Sequence, residues 1–320
     1  MVKAANATTH AQRRREAAQK RGKQRRQQRL LIRIGAIAAV ILVAVGVWWF
    51  ALLDASDTAS GQALFQFDTA DFHSLAFDPV QSDTIYFGHH GGLKVSDDGG
   101  VSWNDTELQN VDAMQLAMPI ADPERRYAAG HDVFYVSSDG GVSWESQASD
   151  LPGTDLHSFT ASPSDAMRLY ASPAGQGLFT SADGGATWQP ITAPPLAQDG
   201  MGMFALAVDP TDPLHIYAGG GNGMAESRDG GASWQPRSAP SGGVVSLALA
   251  PDEPLTFYAG TDQGLWKQSG DGAWERLPLE VSGAILALAA NPIEPQQVAL
   301  VDQEGQFYRS DDGGQTWTES

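Results

Sequence analysis

Cysteine is missing from the 320-residue sequence, which excludes disulfides and thiolate chemistry. Basic residues are scarce after residue 33. The chain has 20 Lys and Arg and 38 Asp and Glu, and residues 1–33 contain 11 of the basic residues but a single acid, Glu16. Residues 34–320 therefore carry a formal charge of −28. A segment this acidic repels phosphate backbones, so nucleic acid is not an expected partner.

Long apolar runs are also missing, with the exception of residues 34–53. These 20 residues, IGAIAAVILVAVGVWWFALL, carry no charge and would span about 30 Å as a helix. The basic segment before them fits the positive-inside rule. We therefore predict a single-pass signal-anchor helix in the cell membrane over 34–53, a disordered cytoplasmic tail over 1–33 and an extracytoplasmic remainder. A cleaved signal peptide and a buried helix are the alternatives, although signal peptides usually have a shorter apolar region.

The rest of the sequence repeats one motif. The motif occurs as SDDGGVSW at 96–103, SSDGGVSW at 137–144, SADGGATW at 181–188, SRDGGASW at 227–234, SDDGGQTW at 310–317 and, shortened, SGDGAW at 269–274. Successive motif tryptophans are 40 to 46 residues apart. This period is the length of a β-propeller blade.

Short apolar stretches with an alternating pattern precede every copy of the motif, and each repeat contains four strand-like segments bounded by Gly, Pro or Asp. This pattern predicts a four-stranded meander for each repeat. We predict an all-β fold, a six-bladed propeller of four-stranded antiparallel blades over 70–320. Residues 54–69 form a linker, in which ALFQF (63–67) is expected to add a strand to the last blade and close the ring. A degenerate seventh blade near the N-terminus is the alternative.

The repeated motif is interpreted as scaffold. Its paired glycines supply positive φ for a tight turn, its Asp and Ser hydrogen-bond to the turn's own backbone, and its Trp packs against the sheet. A catalytic site needs one asymmetric copy, not six. The predicted scaffold residues are Ser96, Asp98, Gly100, Trp103, Ser137, Asp139, Trp144, Ser181, Asp183, Trp188, Ser227, Asp229, Trp234, Asp271, Trp274, Ser310, Asp312 and Trp317.

These motifs resemble BNR, or Asp-box, repeats, which read roughly S-x-D-x-G-x-T-W. The resemblance covers about residues 70–320. The wider repeat units are similar to those of a bacterial BNR-repeat family labelled glycosylhydrolase-like. Sialidases, xyloglucanases, sortilin-type receptors and photosystem II assembly-factor propellers share such repeats. A sialidase needs an arginine triad that holds a carboxylate, and the seven arginines after residue 33 are scattered, so this activity is not expected.

Unrepeated polar residues mark one half of the predicted channel mouth. Repeats 1 to 3 carry DFH (71–73), DAM (112–114) and DLH (155–157) where the inner strands begin, whereas repeats 4 to 6 carry the apolar GMF (202–204), GVV (243–245) and AIL (284–286). A scaffold does not require this asymmetry. The predicted ligand-binding face consists of His73, His89, His90, Asp112, Met114, His131, Asp155 and His157.

Three functions are compatible with this face. The favoured one is a non-enzymatic module that binds an extracytoplasmic ligand or protein, and it requires no cofactor. In the second, His73, His90, His131 and His157 bind a divalent metal, or copper with help from Met114, Met201 and Met203. In the third, two of Asp71, Asp112 and Asp155 are the carboxyl pair of a glycoside hydrolase, which requires separations of about 5–5.5 Å or about 6.5–9.5 Å. The remaining alternative is that the side chains of this face are solvated, merely line the channel and have no function.

Overall fold

A computed structural model describes residues 62–69, 71–196 and 205–318. The predicted tail and signal anchor lie outside these residues, as do residues 202–204 of the fourth repeat. No helix in the described ranges is long and apolar enough to cross a membrane.

The described residues form 24 strands, numbered in chain order. The strands are β1 (Phe65–Gln66), β2 (Ser74–Phe77), β3 (Ile85–His89), β4 (Gly92–Ser96), β5 (Asn104–Gln109), β6 (Gln115–Ala117), β7 (Arg126–Gly130), β8 (Val133–Ser137), β9 (Glu145–Ser146), β10 (Leu156–Ala161), β11 (Leu169–Pro173), β12 (Leu178–Ser181), β13 (Gln189–Ile191), β14 (Ala205–Val208), β15 (Ile216–Gly220), β16 (Gly223–Ser227), β17 (Gln235–Arg237), β18 (Val244–Ala250), β19 (Thr256–Thr261), β20 (Gly264–Ser269), β21 (Glu275–Arg276), β22 (Ile285–Ala290), β23 (Val298–Asp302) and β24 (Gln306–Ser310).

These strands pair into six four-stranded antiparallel sheets, which we call blades 1 to 6. Blades 1 to 5 are β2–β5, β6–β9, β10–β13, β14–β17 and β18–β21, and blade 6 is β22–β24 with β1 as its outermost strand. The innermost strands β2, β6, β10, β14, β18 and β22 contact their neighbours around a closed ring. The six-bladed propeller is thereby confirmed, and the outer strand of blade 6 lies within the segment ALFQF.

The blades are joined by buried side chains that reach from one blade to the next. The second strands of blades 2, 3 and 5 contain fully buried tyrosines, Tyr127, Tyr170 and Tyr258. The Tyr127 hydroxyl donates to the Ala166 carbonyl of blade 3 (2.7 Å), and the Tyr170 hydroxyl donates to the Pro213 carbonyl of blade 4 (2.8 Å). A buried hydroxyl needs such a partner. These bonds therefore fix the spacing between neighbouring blades.

The Asp box stabilises the turn that contains it. In the copy at 137–144, Ser137 Oγ donates to Asp139 Oδ1 (2.8 Å) and accepts from the Gly141 N–H (2.8 Å). Ser143 donates to Asp139 through its hydroxyl (2.6 Å) and its backbone N–H (2.9 Å). These bonds stabilise the carboxylate, so they lower the pKa of Asp139 to about 2, with the Ser143 hydroxyl as the largest cause.

The same internal bonds recur in four other copies. The pKa values of Asp98, Asp183 and Asp229 are likewise lowered to about 2, first by the hydroxyl four residues later, and Asp312 accepts the corresponding bonds from Ser310 and Thr316. The carboxylates are satisfied within their own turns, as the scaffold interpretation requires.

The shortened copy at 269–274 departs from this prediction. Asp271 is 91% exposed and pairs with Arg237 of blade 4 (3.0 Å). Gln268 organises the turn from within, since its Nε2 donates to the Gly272 carbonyl (2.6 Å). The deletion shortens the loop, so the prediction that Asp271 stabilises its own turn is corrected to a contact between blades.

In four copies of the motif, the second glycine lies where neighbouring blades meet. A Cβ on Gly185 of blade 3 would clash with the Phe134 ring of blade 2, and a Cβ on Gly100 of blade 1 would clash with Phe307 of blade 6. Both glycines have positive φ, 95° and 98°. Gly231 and Gly314 face Ile191 and Leu277 of their preceding blades in the same way. These four copies therefore pack neighbouring blades together, whereas Gly141 faces Arg126 of its own blade.

We expect Gly185→Ala to destabilise the protein more than Gly175→Ala. Both positions have positive φ, 95° and 70°, which costs a non-glycine residue about 1–2 kcal/mol. A Cβ on Gly175 has nothing within 4 Å, whereas a Cβ on Gly185 overlaps Phe134. The overlap should add about 1–3 kcal/mol. Urea unfolding of both variants measures the difference, and equal losses would show that this contact between blades does not constrain the glycine.

Candidate functional site

The site lies where the inner strands of blades 1 to 3 begin. His90 and His131 occupy the turns between the second and third strands of blades 1 and 2, after β3 and β7. His157 lies at a β-bulge, because Leu156 pairs with Pro173 while Ser158 pairs with the preceding residue, Ser172. A bulge reorients the side chain that it carries. Blades 5 and 6 have bulges at the equivalent Val245 and Leu286.

Acidic and imidazole side chains alternate along an arc over these three blades, which we call the His/Asp arc (Asp71, His73, His90, Asp112, His131, Asp155 and His157). His90 Nδ1 is 3.3 Å from Asp71 Oδ2, and His90 Nε2 is 3.7 Å from Asp112 Oδ1. His131 Nδ1 contacts Asp112 Oδ2, and His131 Nε2 is 3.0 Å from Asp155 Oδ1. His157 Nε2 is 2.8 Å from the same Asp155 oxygen. The arc is therefore continuous from blade 1 to blade 3.

His73 joins the arc by stacking. Its ring lies parallel to that of His90, with centroids 4.7 Å apart and planes 13° apart. Burial, and then the neighbouring His90, lower the pKa of His73 to about 4, and the nearby Asp71 opposes this effect. The ring is therefore a neutral imidazole at neutral pH, with a free nitrogen lone pair.

Several ligand atoms of the arc are buried without a hydrogen bond. They are His73 Nε2, Asp112 Oδ1 and Asp155 Oδ1. The contacts of Asp155 Oδ1 with two imidazoles are short but lack hydrogen-bond geometry. In the described residues, the ion pairs of Asp71, Asp112 and Asp155 involve histidine alone. Buried polar atoms in native proteins rarely lack a partner, so this group calls for an explanation.

The arc borders a central channel of about 470 Å³. His73, Gln115 and His157 line its mouth on blades 1 to 3, and Val245 and Leu286 line it on blades 5 and 6. Deeper lining residues from all six blades are mostly alanine, leucine and valine. The mouth is polar on one side and apolar on the other, as the aligned repeats indicated for blades 1, 2, 3, 5 and 6.

Two residues of the predicted face lie apart from the arc. His89 is the last residue of β3 and is buried, its ring parallel to that of Phe87 at 5.6 Å, and its Nδ1 accepts the Gly91 N–H (3.0 Å). Burial, and then Lys94, lower the pKa of His89. Met114 is also buried, at 4% exposure. Met201 and Met203, considered as copper ligands, lie outside the described residues.

The carboxylates of the arc are separated by imidazoles. The His90 ring lies between Asp71 and Asp112, and the His131 ring lies between Asp112 and Asp155. A glycoside hydrolase places a sugar ring between its two carboxyl groups. Here that space contains the protein's own side chains, so the arrangement is better suited to holding a cation than to cleaving a glycosidic bond.

Family comparisons match two parts of the chain. The model described as Sortilin, neurotensin receptor 3 matches residues 132–239, and the BNR/Asp-box repeat matches residues 308–319. No curated protein matches the chain.

Solved structures share the fold at low sequence identity. The GH74 xyloglucanase from Xanthomonas campestris is 21% identical over 80% of this chain and 46% of its own, with a TM-score of 0.56. An ancestral GH74 enzyme is 18% identical over 82% of this chain and 39% of its own, with a TM-score of 0.53. The extracellular domain of BT4673 from B. thetaiotaomicron is 14% identical over 79% and 36%, with a TM-score of 0.53. The chain spans less than half of each structure, and these likenesses concern the fold.

Proposed function

We propose that this BNR-type β-propeller is a membrane-anchored, extracytoplasmic binding module whose ligand site is the channel mouth bordered by the His/Asp arc. The uncharged segment 34–53 after a basic tail supports the anchored placement. Five Asp boxes complete their hydrogen bonds inside their own turns. These turns join the third and fourth strands, at the opposite end of the antiparallel blade from the second-to-third turns of the arc, so the arc's face is left for recognition.

The observation that carries this proposal is the two-sided mouth. Binding sites for small molecules typically enclose about 300–1,000 Å³ and combine an apolar lining with a few convergent polar groups. The channel of about 470 Å³ has this size, an apolar wall and one polar arc. The site therefore binds a cation at the three carboxylates and an apolar group in the channel.

Photo-crosslinking in cells tests the proposal without knowledge of the ligand. The full chain carries benzoylphenylalanine at Val245, which is 43% exposed at the apolar side of the mouth. We expect a covalent adduct, seen as a mass increase of the purified chain. The same residue at Val142, 69% exposed in the Asp-box turn of blade 2, is the matched control and should give none.

The dependence of the adduct on the arc decides the outcome. Asp112→Ala removes the central carboxylate and should reduce the Val245 adduct, because the cation at the arc loses a partner. An adduct that persists unchanged in Asp112→Ala, or equal adducts at Val245 and Val142, would contradict a ligand site at this mouth.

A further inference from the structure

The geometry points to two transition-metal sites in the His/Asp arc, each made of one aspartate and two histidines, with Asp112 between them as a positioning residue. Three groups in the described residues bring ligand atoms within 4.8 Å of one another. The groups are Asp71–His73–His90, His90–Asp112–His131 and His131–Asp155–His157. This inference rests on the proposed function, since it names the cation that the mouth binds.

The three groups cannot all be filled independently. The middle group shares His90 with the first group and His131 with the third. The first and third groups share no residue, so they can each hold an ion at the same time. The arc therefore accommodates either two ions at its ends or one ion at its centre.

The orientation of the shared imidazoles favours the two ends. His131 turns Nε2 toward Asp155 and Nδ1 toward Asp112, and His90 turns Nδ1 toward Asp71 and Nε2 toward Asp112. Each shared ring thus presents one nitrogen to an end group and the other to Asp112. A metal-bound histidine usually directs its second nitrogen to a carboxylate, which orients the ring. Asp112 plays this part for both end sites.

The unpaired atoms agree with this assignment. His73 Nε2 in the first group and Asp155 Oδ1 in the third are buried without a hydrogen bond. In the third group, His131 Nε2 and His157 Nε2 converge on the same Asp155 oxygen at 3.0 and 2.8 Å without hydrogen-bond geometry. One cation in each of these two groups would give the unpaired nitrogen and oxygen atoms a partner.

The donor set selects the class of metal. Two imidazoles and one carboxylate suit zinc and neighbouring first-row divalent ions, whereas calcium and magnesium prefer oxygen ligands. Three protein ligands leave a tetrahedral ion with one open position. That position gives a ligand at the mouth a direct point of attachment.

Zinc titration of the purified full chain tests the proposal. We expect two zinc ions per chain by calorimetry and elemental analysis. Asp71→Ala should leave one ion, and His157→Ala should leave one ion. Asp112→Asn should retain both ions and weaken their binding about 10- to 100-fold. Asp262→Ala, which removes an exposed carboxylate from the equivalent turn of blade 5, is the control and should leave both ions in place.

Other outcomes would overturn the two-site assignment. One ion per chain that is lost in Asp112→Ala but kept in Asp71→Ala and His157→Ala would place the metal at the centre of the arc. No zinc binding by a chain whose circular dichroism is native would exclude the metal altogether. In that case a Val245 adduct that is formed by the unchanged chain and reduced in Asp112→Ala would leave the binding module standing, so the two proposals can fail separately.

Discussion

Replacing Arg126 with leucine is expected to lower the free energy of unfolding by about 3–5 kcal/mol. Arg126 in β7 of blade 2 forms a buried ion pair with Asp78, which follows β2 of blade 1, with Nη2 and Oδ2 2.5 Å apart. The side chains are 4% and 0% exposed. The leucine variant would leave the Asp78 carboxylate buried between two blades without its cation. Urea unfolding measures the loss as a lower midpoint.

The adjacent arginine supplies the control for this prediction. Arg125 pairs with Asp122 on the surface, where the side chains are 26% and 43% exposed. Exposed pairs contribute about 0–1 kcal/mol, so Arg125→Leu should change the midpoint little. In the Arg126→Leu background, Asp78→Asn should restore part of the stability, because it removes the buried charge. Equal losses in the two arginine variants would mean that the buried pair does not hold these blades together.

The blade number could be predicted from the sequence because five blades repeat the same turn chemistry and blade 5 keeps a shortened copy of the motif. The Ser–Asp and Ser–Gly bonds at Ser137, Asp139 and Gly141 are local, so a single motif specifies them. The six tryptophan positions then count the blades. The Arg126–Asp78 pair left no such trace, since it joins residues 48 positions apart in two different repeats.

The site was predictable in its members but not in its geometry. Aligning the inner strands placed Asp71, Asp112 and Asp155 at one mouth, and the structure brings all three into the arc. The bulge at His157 depends on the pairing register with the next strand, which no local pattern encodes. His89 and His90 are neighbours in sequence but point apart, because His89 still follows the alternation of β3.

Phe67→Ala is expected to destabilise the ring closure by about 3–5 kcal/mol. Phe67 follows β1 and is 3% exposed. Its ring stacks on Phe87 of blade 1 at 3.9 Å and meets Phe307 of blade 6 edge-on at 6.4 Å. The alanine variant would leave a cavity between the first and last blades, where β1 closes the ring. Urea unfolding measures the loss of stability.

Phe65→Ala is the matched control, because Phe65 lies two residues earlier in β1 and is half-buried. It contacts Trp103 at 6.3 Å but is not stacked between the two blades, so its loss should be clearly smaller. Phe67→Ala should also speed proteolysis within residues 54–69, since the strand that holds this segment on blade 6 has lost its main anchor. If the two variants lose equal stability, the closure depends on the backbone pairing of β1 with β24 and not on the buried ring. If proteolysis is unchanged, the segment that follows the predicted membrane anchor is held independently of Phe67.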